Sequence, residues 1–298
     1  MDERHLTPGT PDKAPVRLPA WVRRSVLNTE ENRPVRKILK DKQLNTICES
    51  GRCPNKGECW ALGTATFMLM GSVCTRSCRF CAVTKGLPEP LDDSEPIRIA
   101  EAAREMGLQH VVLTSVNRDE LPDQGANHFA VTIKKLYEMV PGVRVEVLTP
   151  DFQGRRDCLE VVLAAGPSVF NHNLETVPRL YKAVRPGSKY DRSLRVLSMA
   201  KEIAPAVRTK SGLMLGLGET QAEVLAVMED LREHECDFLT LGQYLRPTRM
   251  NLPVHRYLSP EEFEELAQAA WGLGFQMVHS GPLVRSSYHA KELAERLS

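Results

Sequence analysis

The chain has no apolar run that approaches the roughly 20 residues needed to span a bilayer. Its N-terminus is polar and rich in proline, without the apolar segment of a signal peptide. Lysine and arginine (39) almost balance aspartate and glutamate (38), so the charge gives no argument for nucleic acid or an acidic membrane. We therefore expect a cytoplasmic protein with no membrane and no nucleic-acid partner.

The composition is that of an ordinary globular protein, with 42% hydrophobic and 26% charged residues. A chain of 298 residues can bury one large core, and no low-complexity linker divides it. Residues 1–43 are locally basic, which fits a solvated extension or a docking surface for an acidic partner. The sequence thus indicates one domain with extensions.

Six of the eight cysteines form two triads with different spacings, Cys48-x4-Cys53-x5-Cys59 and Cys74-x3-Cys78-x2-Cys81. Thiols stay reduced in the cytoplasm, so clustered cysteines there favour metal over disulfides. Each triad has one ligand fewer than a closed four-thiolate site. A cluster held by three thiolates keeps one position open for a small molecule or an unusual ligand, which indicates chemistry rather than scaffolding.

From residue 66 onward, short apolar runs with glycine or polar ends alternate with amphipathic helical patterns. Such runs are typical of buried parallel strands with helices outside the sheet. The six strand candidates are 66–70, 110–116, 143–149, 168–174, 209–215 and 238–244. The predicted fold class is α/β, a partial (βα)6 TIM-like barrel with N-terminal and C-terminal extensions.

We divide the chain into an extension that carries the first triad (1–63), the barrel (64–275) and a C-terminal extension (276–298). Capping boxes at Thr220 with Glu223 and at Ser259 with Glu262 predict two helix starts. The second triad lies on loop 71–86, directly after the first strand. Reactive groups of βα barrels lie at the C-terminal ends of the strands, so this is a catalytic position.

The second triad can hold three corners of a [4Fe–4S] cluster, with tetrahedral zinc as the competing interpretation. Zinc favours a nearby fourth ligand, and none follows Cys81. The stretch Cys74–Cys81, with aromatic Phe80 before its last cysteine, resembles the signature of the radical S-adenosylmethionine (SAM) superfamily. The resemblance implies that the open iron chelates SAM. It also implies that one electron cleaves SAM to methionine and a radical that abstracts hydrogen from an unactivated carbon.

The first triad, within 48–60, and the Arg-Ser-Ser-Tyr-His-Ala stretch at 285–290 resemble the lipoyl synthase family within that superfamily. The resemblance extends through 113–118, 171–176, 212–219 and 243–247. It implies that Cys48, Cys53 and Cys59 hold an auxiliary [4Fe–4S] cluster. The implied fourth ligand is a serine, for which we choose Ser287 over Ser286. Without the resemblance, two adjacent serines would indicate a surface turn, and Arg285 either a gate or a partner of a carboxylate.

The activity implied by the resemblance is sulfur insertion at C6 and C8 of an octanoyl chain on a lysine of a carrier protein. The auxiliary cluster is the sacrificial sulfur donor, and two SAM molecules are used. Implied carriers are lipoyl domains of 2-oxoacid dehydrogenase subunits and the glycine cleavage H-protein. A flavodoxin or ferredoxin reductant and an iron–sulfur carrier protein that reloads the cluster are implied as well.

By the same resemblance, several residues are expected to contact SAM or line its site. They are Phe80, Thr114, Ser115, Asn117, Asn173, Glu175, Arg195, Lys210 and Met214. Each has a structural alternative: a turn that caps the strand, an internal polar network, an ion pair or a core methionine. His172 is expected to brace the structure, and Cys158 and Cys236 to be buried apolar residues.

Other functions stay open at this point. A different radical SAM enzyme would carry other auxiliary cysteine spacings. An electron carrier would need closed clusters and no barrel, and a zinc-stabilised binding module would need a fourth zinc ligand. The glycine-rich stretch 212–219 lacks the G-x-x-x-x-G-K-[ST] pattern of a nucleotide P-loop, so it predicts close backbone packing near the adenosyl group.

Overall fold

Seven parallel strands form the central sheet of the computed structural model, which describes residues 18–22, 33–61 and 65–287. The strands follow one another in chain order across the sheet. They are β1 (Thr66–Leu69), β4 (His110–Ser115), β5 (Arg144–Leu148), β6 (Val169–Asn171), β7 (Arg208–Leu215), β8 (Phe238–Gln243) and β9 (Met277–Gly281). A separate parallel pair lies on the loop after β1 and comprises β2 (Val73–Cys74) and β3 (Thr84–Lys85).

The longer helices connect successive strands of the sheet. The helices are α1 (Arg33–Asp41), α2 (Ile47–Ser50), α3 (Lys56–Ala61), α4 (Glu95–Glu105), α5 (Ala126–Met139), α6 (Arg156–Ala164), α7 (Tyr181–Val184), α8 (Tyr190–Ile203), α9 (Gln221–Glu233) and α10 (Pro260–Gly272). The apolar face of α5, with Phe129, Ile133 and Leu136, is fully buried. Repeated β-helix-β connections of this kind give the parallel order of the sheet.

The structure confirms the six predicted strands and adds a seventh. β9 pairs in parallel with β8, from Phe238 opposite Met277 to Gly242 opposite Gly281. It lies in the segment that the sequence assigned to the C-terminal extension. Only two apolar residues, Met277 and Val278, precede a polar end, so the strand lacks the longer apolar run that identified the other six. Within the described residues β1 and β9 do not pair, and the barrel is partial as predicted.

Both predicted capping boxes are present. The Thr220 hydroxyl accepts a hydrogen bond from the Glu223 backbone amide at the start of α9, and the Glu223 carboxylate accepts one from the Thr220 backbone amide. Ser259 and Glu262 do the same for α10. Each box satisfies two backbone N–H groups that a helix terminus otherwise leaves unpaired. The two caps fix where these outer helices begin.

The segment with the first triad covers the free edge of β1. Thr46 makes an antiparallel bridge to Phe67, and the Met68 amide donates to the Asn45 carbonyl at 2.9 Å. The Asn55 side chain donates to the carbonyl of Leu283, just after β9, at 2.6 Å. This segment therefore spans the gap between the first and last strands of the sheet, and the first triad reaches the barrel mouth. No helix in the described part of the chain is long and apolar enough to cross a membrane.

Candidate active site in the barrel mouth

One cavity of about 340 Å³ opens at the C-terminal ends of the strands. It brings together most of the residues that the sequence singled out, from both triads and from four strand ends. Those that line it are Cys48, Cys53, Cys74, Cys78, Phe80, Cys81, Thr114, Ser115, Asn117, Asn173, Glu175, Met214, Arg285 and Ser287. Both cysteine triads thus contribute to a single site.

The loop with the second triad is fixed against the end of β4. The Thr75 amide donates to the Asn117 carbonyl at 3.1 Å, and its hydroxyl donates to Asp119 at 3.1 Å. The Asn117 amide donates to the sulfur of Cys74 at 3.3 Å. An amide hydrogen bond to sulfur is a recurring feature around cluster thiolates and tunes their electronics. The backbone amide of Asn117 is therefore directed at a sulfur of the second triad.

Arg76 lies inside the second triad and joins two strand ends. Its guanidinium contacts Asp119 and Asp151 at 2.7 Å each, and Asp151 also pairs with Arg192 at 2.8 Å. Burial opposes ionisation of Asp151, but the hydrogen bond and charge of Arg76 prevail and lower the pKa of that carboxyl to about 2. Sequence reasoning gave Arg76 no role. The buried network makes it a positioning residue for the loop that carries the second triad.

Burial raises the pKa of three thiols that line the cavity. It raises the pKa of Cys81 and of Cys48 to about 11 each, and it also raises the pKa of Cys78, against the opposing attraction of Arg185. A thiolate bound to a metal loses its proton, so these thiols ionise when a cluster binds them. Among the described residues, no group of three His, Cys, Asp or Glu side chains is arranged around a single ion. The open triad spacing and the sulfur hydrogen bond fit a cluster.

The first triad lies on two short helices at the edge of the cavity. Cys48 is buried on α2, whose start is capped by the Thr46 side chain. Cys53 lies between the helices, and its amide donates to the Cys48 carbonyl at 3.1 Å. Cys59 lies on α3 and does not line the cavity. The triad therefore faces the cavity through Cys48 and Cys53.

Arg285, Ser286 and Ser287, the C-terminal residues that the sequence singled out, line the cavity shortly after the end of β9. The Thr66 hydroxyl donates to the Ser287 hydroxyl at 2.9 Å, whereas Asn173 donates to Ser286 at 2.6 Å. Arg285 donates to the Val284 carbonyl at 2.6 Å, and burial lowers its pKa. Ser287 therefore lies against β1, and Ser286 against the polar wall formed after β6. Residues 288–290 of the motif lie outside the described residues.

The polar wall after β6 is built on Asn173 and Glu175. The Asn173 amide donates to the Glu175 carboxylate at 3.1 Å. Glu175 has a left-handed backbone (φ 69°), a conformation that costs energy for a residue with a side chain. Its amide donates to the Gly212 carbonyl at 2.9 Å. Burial raises the pKa of the Glu175 carboxyl, although nearby Arg185 opposes this.

His172 lines the cavity but is held by the protein on both ring nitrogens. Nδ1 is 2.9 Å from the Thr149 carbonyl, and Nε2 is 3.0 Å from the Ser193 hydroxyl. A carbonyl only accepts, so Nδ1 carries the proton and Nε2 accepts from Ser193. Burial, followed by the nearby charge of Arg185, lowers the pKa of His172 to about 4. The neutral ring, which is hydrogen-bonded through both nitrogens, fits the predicted structural role of His172.

Two predicted SAM contacts do not fit the geometry. Arg195 lies on the outer helix α8, exposed to solvent and outside the cavity lining. Lys210 is fully buried and pairs with Glu146 at 2.9 Å, also outside the lining. An unpaired buried charge is very costly, so the lysine is committed to this carboxylate. Cys158 and Cys236 are buried, as predicted.

Arg185 is the cavity cation that sequence reasoning missed. Its Nη1 atom donates to the carbonyls of Asn173 and Leu174 and to the Tyr181 hydroxyl, at 2.7, 3.1 and 2.8 Å. Among the described residues, no carboxylate oxygen lies within 4.0 Å of it, and its Nε has no partner. The loop after β6 carries Arg185, and functional groups in barrels are found on such loops. Its position on that loop is therefore the sequence feature by which Arg185 could have been found.

Comparison with known proteins gives one family. The model of the radical SAM superfamily matches residues 68–231. A lipoyl synthase of Caldanaerobacter subterraneus subsp. tengcongensis is 56% identical over 275 residues, which are 92% of this chain and 96% of that protein. A lipoyl synthase of Thioalkalivibrio sulfidiphilus is 53% identical over 288 residues, or 96% of this chain and 90% of the relative.

Solved structures with low sequence identity share the fold. Methylornithine synthase (PylB) matches with a TM-score of 0.52 and 15% identity, covering 89% of this chain and 91% of that one. The SAM-bound structure of Streptococcus suis SuiB matches with a TM-score of 0.58 and 11% identity, covering 76% and 53%. At this identity the likeness concerns the partial barrel alone.

Proposed function

The chain belongs to the lipoyl synthase family of radical SAM enzymes, and on that premise we propose that the cavity in the barrel mouth holds two [4Fe–4S] clusters with separate tasks. As a member of this family it is an enzyme that inserts two sulfur atoms, at C6 and C8, into a protein-bound octanoyl chain. The observation that carries the proposal is the common cavity of the two triads and the Arg285–Ser287 segment. Substrate carbons at its centre then lie within reach of both clusters.

The two clusters and SAM supply the radical chemistry and the sulfur when bound. The protein positions them and excludes water. In the proposal, Cys74, Cys78 and Cys81 hold the cluster that binds SAM. The Asn117 amide hydrogen-bonds to Cys74, and Arg76 holds the loop through Asp119 and Asp151.

Arg185 is the proposed partner for the carboxylate of SAM, in place of Arg195 and Lys210. It is close enough to Cys78 for its charge to oppose the rise that burial causes in the pKa of that thiol, and it has an unpaired buried Nε. Hydrogen bonds to charged groups stabilise a complex by about 1.5–3 kcal/mol. Gly212 faces Asn173 and the Thr240 hydroxyl so closely that a Cβ atom would overlap them, which leaves the backbone bare beside the adenosyl group. Thr114, Ser115, Glu175 and Met214 complete the proposed lining.

Ser287 is the proposed fourth ligand of the auxiliary cluster, with Cys48, Cys53 and Cys59. Ser287 bonds to Thr66, whose backbone also hydrogen-bonds to the Cys48 thiol. Ser286 bonds instead to Asn173 on the other wall. A hard alkoxide is a poor match for iron in a sulfide cage, so a serine ligand dissociates readily. A cluster that gives up its sulfides has to open, and a weakly held ligand allows this. Arg285, buried beside Cys53, is proposed to shield this corner from water.

The octanoyl chain reaches this family on carrier proteins, and we propose lipoyl domains of 2-oxoacid dehydrogenases and the glycine cleavage H-protein as the carriers. A flavodoxin or ferredoxin is the proposed reductant, and an iron–sulfur carrier the proposed source of new clusters. The cytoplasm remains the proposed location, since open thiolate clusters require a reducing compartment.

The test is anaerobic turnover. Protein reconstituted with iron and sulfide is incubated with SAM, a reductant and an octanoyl-lysyl peptide, and the products are followed by mass spectrometry. The proposal predicts 5′-deoxyadenosine and a peptide that gains two sulfur atoms. Ser287→Ala should retain cleavage of SAM and lose most sulfur insertion, while Ser286→Ala retains both. Cleavage of SAM without sulfur in the peptide, from wild-type protein that carries both clusters, would contradict the proposal.

A further inference from the structure

The rim of the cavity carries positive charge that the chain as a whole does not. Three segments contribute to the mouth, 50–57, 71–88 and 244–258. None of them contains aspartate or glutamate, although acidic and basic residues nearly balance over the whole chain. Their basic residues are Arg52, Lys56, Arg76, Arg79, Lys85, Arg246, Arg249 and Arg256.

Five of these eight cations have no carboxylate partner among the described residues, and one of the five, Arg246, is half-buried and bonded to backbone carbonyls. Arg76 is neutralised by two aspartates, and Arg256 pairs with Glu262 at 2.6 Å. Four others are exposed and, among the described residues, have no carboxylate oxygen within 4.0 Å. These four are Arg52, Arg79, Lys85 and Arg249. We call them, together with Met250, the basic rim.

Met250 stands at the centre of the third segment and is 93% exposed. The loop around it is firmly held. The Asn251 side chain donates to the carbonyls of Arg79 and Cys81 at 3.1 and 2.9 Å, and accepts from Thr248 at 2.7 Å. Met250 is thus a large apolar side chain that an anchored loop exposes to water at the mouth of the site, beside unpaired cations. Side chains of this kind are typical anchors of protein–protein interfaces.

We propose that the basic rim is the docking surface for the carrier domain that bears the octanoyl-lysine, and that it binds an acidic face around that lysine. The inference rests on the proposed function. The octanoyl chain is attached to a folded domain, so the surface of that domain has to lie against the mouth while the chain enters the cavity. Unpaired cations then attract acidic residues of the domain and steer the encounter, and Met250 packs against an apolar spot between them.

The experiment compares two substrates, an octanoylated H-protein and a short neutral octanoyl-lysyl peptide. The Arg249→Glu/Met250→Asp double variant changes residues outside the cavity lining. Its KM for the octanoylated H-protein should rise about tenfold, because charge reversal removes attraction and adds repulsion. Its kcat and KM with the peptide should equal those of the wild type. High salt should raise the wild-type KM for H-protein more than that of the variant, because salt screens exposed charges.

Lys134→Glu, a charge reversal on the exposed face of α5, is the matched control and should leave both substrates unaffected. Equal KM values for H-protein in the double variant and the wild type would overturn the docking surface. Equal losses on H-protein and peptide would also overturn it, since the loop would then belong to the site itself. Slower reloading of the auxiliary cluster with an unchanged KM would assign the rim to a different partner. Failure of wild-type protein on both substrates would refute the proposed function instead.

Discussion

At the scale of single residues, the proposed role of Arg185 as the partner of the SAM carboxylate can be tested directly. Its guanidinium is buried next to Cys78 and, among the described residues, is bonded only to carbonyls and a hydroxyl. We expect Arg185→Met to weaken binding of SAM to the cluster-loaded protein by about 10- to 100-fold, the value of one charged hydrogen bond. Equilibrium binding of SAM measures this, with iron content as a check on loading.

Arg195→Met is the matched control, because Arg195 is exposed on α8 and should not change SAM binding. Arg185→Lys should recover part of the affinity by restoring the charge without the planar donor set. If Arg195→Met weakened binding and Arg185→Met did not, the assignment of the carboxylate partner would be reversed.

Residue types and spacing singled out five cysteines that line the cavity, but they could not distinguish one cation from another. Lys210 and Arg195 have the right charge, and only the structure reveals that a buried carboxylate holds Lys210 while Arg195 points away. Arg185 carries no local signal beyond its position on a loop after a strand. Which wall each serine faces depends on contacts with Thr66 and Asn173, more than a hundred residues earlier in the chain.

At the scale of elements, the capping boxes give a quantitative expectation. Thr220→Ala and Ser259→Ala should each lower the free energy of unfolding by about 1 kcal/mol, since each leaves helical N–H groups unpaired. Ser94→Ala is the control, because Ser94 precedes α4 without a side-chain cap and bonds to Asp92 instead. Chemical denaturation of the three variants measures the differences. A cost at Ser94 equal to the cost at Thr220 would contradict the role of the boxes.

Elements with strong local patterns were the most predictable. Six strands and both boxes follow from apolar runs and short capping motifs in the sequence. β9 was missed because it is held by its pairing with β8 rather than by its own apolar content. The covering of the sheet edge by residues 45–55 was also beyond prediction, because single hydrogen bonds between distant segments leave no sequence pattern.

At the scale of the whole molecule, buried His172 makes the free energy of unfolding depend on pH in the acid range. Its pKa in the folded chain is about 4, below its ordinary value of 6.5, so the unfolded chain binds the proton first as the pH falls. Stability that is complete above pH 6.5 is therefore lost between pH 6.5 and 4, by on the order of 3 kcal/mol. Denaturation of the cluster-free chain across this range measures it. His172→Gln should flatten the curve, and His255→Gln, at an exposed position, should not.

At the same scale, the two cysteine triads of the cavity are proposed to act on one substrate. The most direct test is to load the protein with clusters made from isotopically heavy sulfide, supply no other sulfur source, and analyse one turnover by mass spectrometry. We predict two heavy sulfur atoms in each product from the wild type. Cys48→Ala should still cleave SAM to 5′-deoxyadenosine but insert no sulfur. Product sulfur of natural isotopic mass, or sulfur insertion by Cys48→Ala, would contradict the division of tasks between the two triads.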